Sequence, residues 1–191
     1  MLIGRYPALL DANVLHPAFV RSTLLWFADE RLFQPCWSAD ILREWRGSVQ
    51  RRFSDAVDQM LDRTLAAMTE AFPDAEITGY EHLISCLDLA DDKDRHVLAA
   101  AIVGRCSGII TANLKHFPET ISERYRIEIV HPDDFIVNII DLDEGRALSA
   151  CRQHRLAMGQ SSLSADEYLA RYKTAGLIQA HGRLSPHVGL L

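Results

Sequence analysis

Apolar residues in this chain come in two textures, short unbroken runs and longer stretches spaced by three and four, and the two alternate. Unbroken runs of about four residues suit strands buried on both faces, whereas the wider spacing suits amphipathic helices. Pro7 to Leu10 is the first run and ends at Asp11. Pro17 to Arg31 reads as a helix, with Val20, Leu24 and Phe27 on one face. Phe33 to Trp37 is a short strand in which Pro35 points to an edge or irregular position. Ser38 is placed to cap a helix whose buried stripe is Ile41, Leu42, Trp45 and Val49. Ser54 is a candidate cap for another, carrying Val57, Met60, Leu61, Leu65 and Met68 and ended by Pro73. A strand is expected within Glu76 to Ile84. Asp94 to Arg105 is helical, with Val97, Leu98, Ala101 and Ile102 inward, and Gly108 to Thr111 and Ile127 to Val130 are further strands.

Strands separated by helices predict an α/β fold, a mostly parallel sheet with helices on both faces. From His131 onward only helix signals remain. Asp133 to Leu142 and Asp143 to Met158 are two helices, and Ser164-Ala165-Asp166-Glu167 has capping-box spacing for a third that Gly176 closes. The predicted organisation is therefore a domain over 1–130 and a small helical extension over 131–191. The extension is too short for a robust core of its own, so Phe135, Ile136, Ile139, Ile140, Leu169 and Tyr172 are expected to pack on the first domain or on a partner. Leu177 to Leu191 is expected to be loosely ordered.

Composition narrows the class. Hydrophobic residues make up 48% and charged residues 24% of 191, which excludes disorder. No apolar run is long enough to span a bilayer, and Met1 to Pro7 lacks the basic, apolar, small-residue order of a secretory signal. These features predict a cytoplasmic protein with no membrane role. Cys36, Cys86, Cys106 and Cys151 are far apart, with no zinc spacing, and read as reduced, mostly buried thiols. The net charge of −6 argues against a simple polyanion binder.

Chemistry is suggested by where the acids fall. Asp11 ends a buried strand, and in open α/β sheets ligands bind at the carboxyl ends of strands where strand order reverses. An ordinary helix cap is the competing reading. Glu44 borders the apolar stripe of its helix. Asp94 heads the inward stripe of Val97, Leu98 and Ala101, with Asp91 one turn earlier and Asp92 between, although acids also gather at helix starts for dipole reasons alone. Thr111 and Asn113 end a strand beside Asp11. Arg43, Arg46, Arg51 and Arg52 crowd the helix of Glu44, and Lys115 and His116 follow Asn113. These basic groups either hold phosphates along a groove or form a solvated face.

Taken together, Leu10-Asp11-Ala12-Asn13-Val14-Leu15, Leu42-Arg43-Glu44-Trp45, Asp94 with Val97-Leu98-Ala99-Ala100-Ala101, and Ile110-Thr111-Ala112-Asn113 with Phe117 resemble the PIN-domain family. The resemblance covers roughly the first two-thirds of the chain. Within the family it is most similar to the VapC group of toxin nucleases from type II toxin–antitoxin pairs, and the later helices resemble the C-terminal extension of one branch. It implies an endoribonuclease that hydrolyses RNA to 5′-phosphate and 3′-hydroxyl ends, a cognate antitoxin partner and a possible homodimer, with Val57, Met60, Leu61, Leu65 and Met68 either at the dimer contact or packed on their own sheet. It further implies Mg²⁺ or Mn²⁺ held by Asp11, Glu44 and Asp94, with Asn113 at the fourth, commonly acidic, position. Asn113 brings no charge, which leaves one or two cations open and makes Asp91 or Asp92 the candidate replacement. Clustered carboxylates suit phosphodiester chemistry only as ligands of a hard cation, which polarises the phosphoryl oxygen and makes water a nucleophile. Arg43, Arg46 and Lys115 are the candidate RNA contacts. Two alternatives stand beside this reading: a PIN fold acting as a protein-binding module, and a phosphohydrolase with Asp11 as nucleophile. The second usually carries another Asp two residues on, where this chain has Asn13.

Overall fold

A computed structural model of the chain describes residues 6–53, 57–89, 91–159 and 163–191. Its centre is a five-stranded parallel sheet of order β3-β2-β1-β4-β5. The strands are β1 (Pro7–Leu10), β2 (Gln34–Ser38), β3 (Glu76–Ile77), β4 (Gly108–Ile110) and β5 (Glu128–Val130). Ala8, Leu9 and Leu10 are all fully buried, as are Ile109 and Ile110. Successive residues of a strand point to opposite faces, so both faces of the sheet are covered. The chain leaves β1 toward β2 and β3, then returns to the other side of β1 to lay down β4 and β5. The reversal lies between β1 and β4, and it opens a crevice at their carboxyl ends.

Helices of the first part are α1 (Ala12–Leu15), α2 (Ala18–Asp29), α3 (Ala39–Phe53), α4 (Asp58–Ala71), α5 (Glu81–Ile84), α6 (Arg95–Val103) and α7 (Glu119–Tyr125). Ser38 caps α3 by accepting the Ile41 amide at 3.3 Å, and Ile41, Trp45 and Val49 form its buried stripe while Leu42 is half-buried. Ser54, the expected cap of α4, lies outside the described residues. In α4, Leu61 and Met68 are buried and Leu65 is half-buried, but Met60 is exposed. Between α2 and α4 an apolar groove of about 410 Å³ remains, lined by residues including Leu25, Trp26, Ala67, Met68 and Phe72. Pro35 is not on an outer strand, since β2 lies between β1 and β3; yet β3 pairs only with Trp37 and Ser38, so β2 has no partner on that side at Pro35. Val97 to Ala101 of α6 are all fully buried, and their run of alanines lets the helix lie close to the sheet. The short α1 and α7 carry little periodic signal and were not expected.

The second part comprises α8 (Pro132–Leu142), α9 (Glu144–Ala157), α10 (Ala165–Thr174) and α11 (Ile178–Leu184), followed by a 3₁₀ segment over Ser185–Leu190. Ser164 and Glu167 form the expected reciprocal capping box, and Gly176 ends α10 in the left-handed region at φ 78°. This part packs on the first. Phe135 meets Phe33 edge-on, with ring centroids 5.0 Å apart, and lies 6.0 Å from Tyr6. Phe135, Ile136, Ile139, Ile140, Leu169 and Tyr172 are all buried. Leu177 to Leu191 is ordered, contrary to expectation. Asp133, 4% exposed, accepts the Gln179 and Ala180 amides on its two carboxylate oxygens, each at 2.9 Å, and so holds the start of α11. Ala180, Leu184 and Leu191 are buried behind it. Cys36, Cys106 and Cys151 are buried and Cys86 exposed, all as free thiols.

The two parts are also joined by a buried imidazole. His154 of α9 faces Ser22 Oγ of α2 at 2.8 Å through Nε2 and the Tyr168 hydroxyl at 3.0 Å through Nδ1. Burial pushes its pKa down to about 4 from an ordinary 6.5. A histidine whose folded pKa is depressed binds protons better when unfolded. Its contribution is therefore intact above about pH 6.5 and is lost as pH falls toward 4. Denaturant titrations between pH 7 and pH 4.5 should show a loss that His154→Gln reduces by roughly 2 kcal/mol. Identical pH slopes for the two proteins would contradict it.

Candidate metal centre

The crevice between β1 and β4 is built around Asp11. The Asp11 amide donates to the Ile110 carbonyl at 3.1 Å, which carries the β1–β4 ladder one residue past the strand and fixes where the side chain emerges. Asp11 occupies the N-cap position of α1, yet its carboxylate makes no capping bond. Instead Oδ2 accepts from the Thr111 hydroxyl at 2.7 Å and from the Asn13 amide. Asn13 Nδ2 also reaches Thr111 Oγ1 at 2.9 Å, and its Oδ1 accepts the Ala112 amide at 2.9 Å. Thr111 Oγ1 further accepts the Asn113 amide at 3.0 Å. Three side chains from the ends of β1 and β4 thus form one closed network.

Asp11 is 3% exposed, and burial is the largest cause raising its carboxyl above the usual range. The Thr111 hydroxyl opposes that shift, while the charges of Glu44 and Asp94 add to it. Those two carboxylates therefore lie close enough to act on Asp11. Glu44 comes from α3, is about half exposed, and faces His96 Nε2 at 3.4 Å. Asp94 stands at the N-cap of α6 without capping it; its Oδ2 lies 2.6 Å from His116 Nδ1. Asp91 does behave as a cap, accepting the Lys93 amide at 3.0 Å, and Asp92 pairs with Arg95. Asp91, Asp94 and His116 offer ligand atoms that all lie within 4.8 Å of one another.

Basic groups are less available than the sequence suggests. Arg43 is ion-paired with Asp40, and Arg46 with Asp62 and, at 3.4 Å, with Asp58. Lys115 is exposed and makes no ion pair among the described residues. Sequence reasoning assigned no role to the amide of Asn13 in holding Asp11, to the pairing of His116 with Asp94, or to Asp40, whose carboxylate accepts the buried Tyr80 hydroxyl at 2.8 Å. Asp40 was legible as an acid one turn before Glu44; Asn13 bonds Asp11 only two residues away but is set there by Thr111 and Ala112, 98 and 99 residues on, and His116 meets Asp94 across 22 residues.

Could this donor set hold a divalent cation? The ligand atoms that lie within 4.8 Å of one another belong to Asp91, Asp94 and His116, while Asp11 and Glu44 stand outside that group; Asp11 feels the charges of Glu44 and Asp94 and has no ion pair of its own among the described residues, and oxygen donors suit Mg²⁺ or Mn²⁺. The residues fit.

Comparison with known proteins now adds to the geometry. The PIN domain family profile matches residues 7–115. The chain belongs to the PIN domain family. A second profile, the VapC50 C-terminal domain, matches residues 132–186. A curated relative from Mycobacterium tuberculosis named "Putative ribonuclease VapC50" is 48% identical over 66 residues, 35% of this chain and 38% of that protein. The matched stretch thus spans well under half of the relative's length. No solved structure matches the chain. The chain, with a PIN domain match and a VapC50-type C-terminal match, has a five-stranded parallel sheet, in keeping with the mostly parallel sheet its sequence predicted.

Asp11 provides a stability test of this crevice. Its carboxyl is raised, so the folded state penalises the charged form; the penalty is present at pH 7, shrinks as pH falls through the folded pKa and is gone only below the ordinary carboxyl range of the unfolded chain. Asp11→Asn should therefore stabilise the metal-free protein at pH 7, with the advantage shrinking in acid. Thermal melts in EDTA at pH 7 and pH 4.5 check both parts, and a destabilised variant at pH 7 would count against the crowded-acid picture.

Proposed function

We propose that this protein is a metal-dependent endoribonuclease, the toxin of a type II toxin–antitoxin pair, with a nuclease domain over 1–130 and a helical extension over 131–191. The observation that carries the reading is Asp11, buried at the β1–β4 crevice with the charges of Glu44 and Asp94 acting on it. The family and the name of the M. tuberculosis relative support it. Asp11, Glu44, Asp94 and Asp91 are the proposed ligands of Mg²⁺ or Mn²⁺, with Asn113 at the rim. Such a cation supplies Lewis acidity toward a phosphoryl oxygen and a nucleophile at neutral pH.

The chain's own residues do the rest. Thr111 and Asn13 both bond Oδ2 of Asp11, which fixes the carboxylate's rotation without adding a competing positive charge. Glu44, about half exposed on α3, closes the acidic side from the solvent edge. Lys115 offers a cation to the RNA backbone next to the crevice, and Arg43 and Arg46 do so only by exchanging Asp40 and Asp62 for phosphate. The Asn13 network also weakens the aspartyl-nucleophile alternative. Both ends of the Asn13 amide are used in holding Asp11 and Ala112, so it is a structural clamp and not a second acid in disguise.

The proposed partners are RNA as substrate, a cognate antitoxin that places a basic side chain among these acids, and a second copy of the chain. No helix among the described residues is long and apolar enough to cross a membrane, and action in the cytoplasm is part of the proposal. A binding module without catalysis is distinguished directly. Purified protein with Mg²⁺ or Mn²⁺ should cleave single-stranded RNA, EDTA should stop it, and Asp11→Asn or Asp94→Asn should lower the rate by at least about 10² while the fold is kept. RNA left intact under both metals would reject the enzyme. In bacteria, expression of the chain alone should arrest growth and Asp11→Ala should relieve the arrest; equal arrest by both would remove catalysis from the toxin reading.

A further inference from the structure

The fourth acidic position of the crevice is filled by Asn113, whose amide brings no charge. From the next residue the chain makes a 3₁₀ turn over Leu114–His116, closed by the His116 amide on the Asn113 carbonyl at 3.0 Å and anchored by the buried Phe117. That turn delivers an imidazole to the acids instead. His116 Nδ1 sits 2.6 Å from Asp94 Oδ2, and the two side chains are only 26% and 15% exposed. Asp91 completes the group, its orientation set by the Lys93 amide. The mutual limit of 4.8 Å is close to what one cation needs: donors at about 2.1 Å from an octahedral ion stand about 3 Å apart when adjacent and about 4.2 Å apart when opposite.

We propose that His116 is a metal ligand of this chain, forming with Asp91 and Asp94 a mixed nitrogen–oxygen site in place of a carboxylate at position 113, and that this site takes Mn²⁺ in preference to Mg²⁺. The inference rests on the metal-dependent reading above and sharpens it. Mg²⁺ demands oxygen donors and near-ideal octahedral geometry, whereas later first-row ions accept imidazole. A site with one nitrogen and two carboxylates therefore loses little Mn²⁺ affinity and much Mg²⁺ affinity relative to an all-acid site. A simple ion pair between His116 and Asp94 is the rival explanation of the same contact. It predicts that a cation competes with His116 instead of binding it.

The experiment uses the full, untagged chain freed of metal. Isothermal titration with Mn²⁺ and with Mg²⁺ gives the two affinities, and pulsed electron paramagnetic resonance of the Mn²⁺ complex reports any directly bound imidazole nitrogen. Binding of Mn²⁺ about tenfold or more tighter than Mg²⁺, with a nitrogen signal, is expected. His116→Gln should abolish that signal and weaken Mn²⁺ by about tenfold, while Mg²⁺ changes far less. Melting in EDTA checks that the variant folds; if it does not, the nitrogen signal of the natural protein still decides. Tight Mn²⁺ binding with no nitrogen signal, or a His116→Gln variant that binds Mn²⁺ better, overturns the role of His116 and leaves the metal-dependent nuclease standing. No binding of either ion by the natural protein overturns both.

Discussion

A carboxylate that is 3% exposed has to be held by something, and in this molecule it is held by the hydroxyl of Thr111 and the amide of Asn13. The rest of the crevice depends on that arrangement. Charge buried without hydrogen bonds is expensive, and charge buried beside like charge is more so. The strand order makes the solution available, because the reversal between β1 and β4 puts the residues just past each strand side by side. Only a parallel pairing in this register brings residue 11 beside residue 111 with both backbones committed to the ladder.

Electrostatics divides the surface into groups with different fates. Two of the four arginines of α3, Arg43 and Arg46, are neutralised by their own neighbours, so part of the basic helix face seen in sequence is committed to internal ion pairs. Exposed pairs of this kind contribute little to stability and can be exchanged for other anions at small cost. Among the described residues Asp11, Glu44, Asp91 and Asp94 have no arginine or lysine partner; imidazoles stand beside two of them, His96 at Glu44 and His116 at Asp94.

What could be seen in the sequence follows from range. The run from Ala8 to Leu10, the alanine-rich face of α6 and the capping box at Ser164 are each set by residues within a few positions, and each appears as expected. The PIN resemblance added the order of the acids. Asn13 and His116 were visible as residues but not as partners, since their contacts are fixed only when strands and turns assemble. The ordered stretch after Leu177 failed for the same reason. A seven-residue helix containing Gly182 and followed by Pro186 has weak local support, and it is stabilised by Asp133, 46 and 47 residues earlier in the chain.

Helix α2 has a neighbour on each side. Ser22 and Thr23 face His154 of α9, and Ser22, Leu25 and Trp26 form a wall of the apolar groove with α4, so the two contacts share Ser22. A helix in that position cannot respond to one neighbour in isolation from the other. Any molecule that fills the groove only while α2 is clamped by α9 also holds the C-terminal helices in place, by RT ln(1 + [L]/Kd), about 2.7 kcal/mol at a hundredfold excess over Kd. Reciprocity then requires that loosening the helices weaken the groove's ligand by the same factor. The second part of the chain can thus set the affinity of a groove whose wall it holds through Ser22 and Trp26.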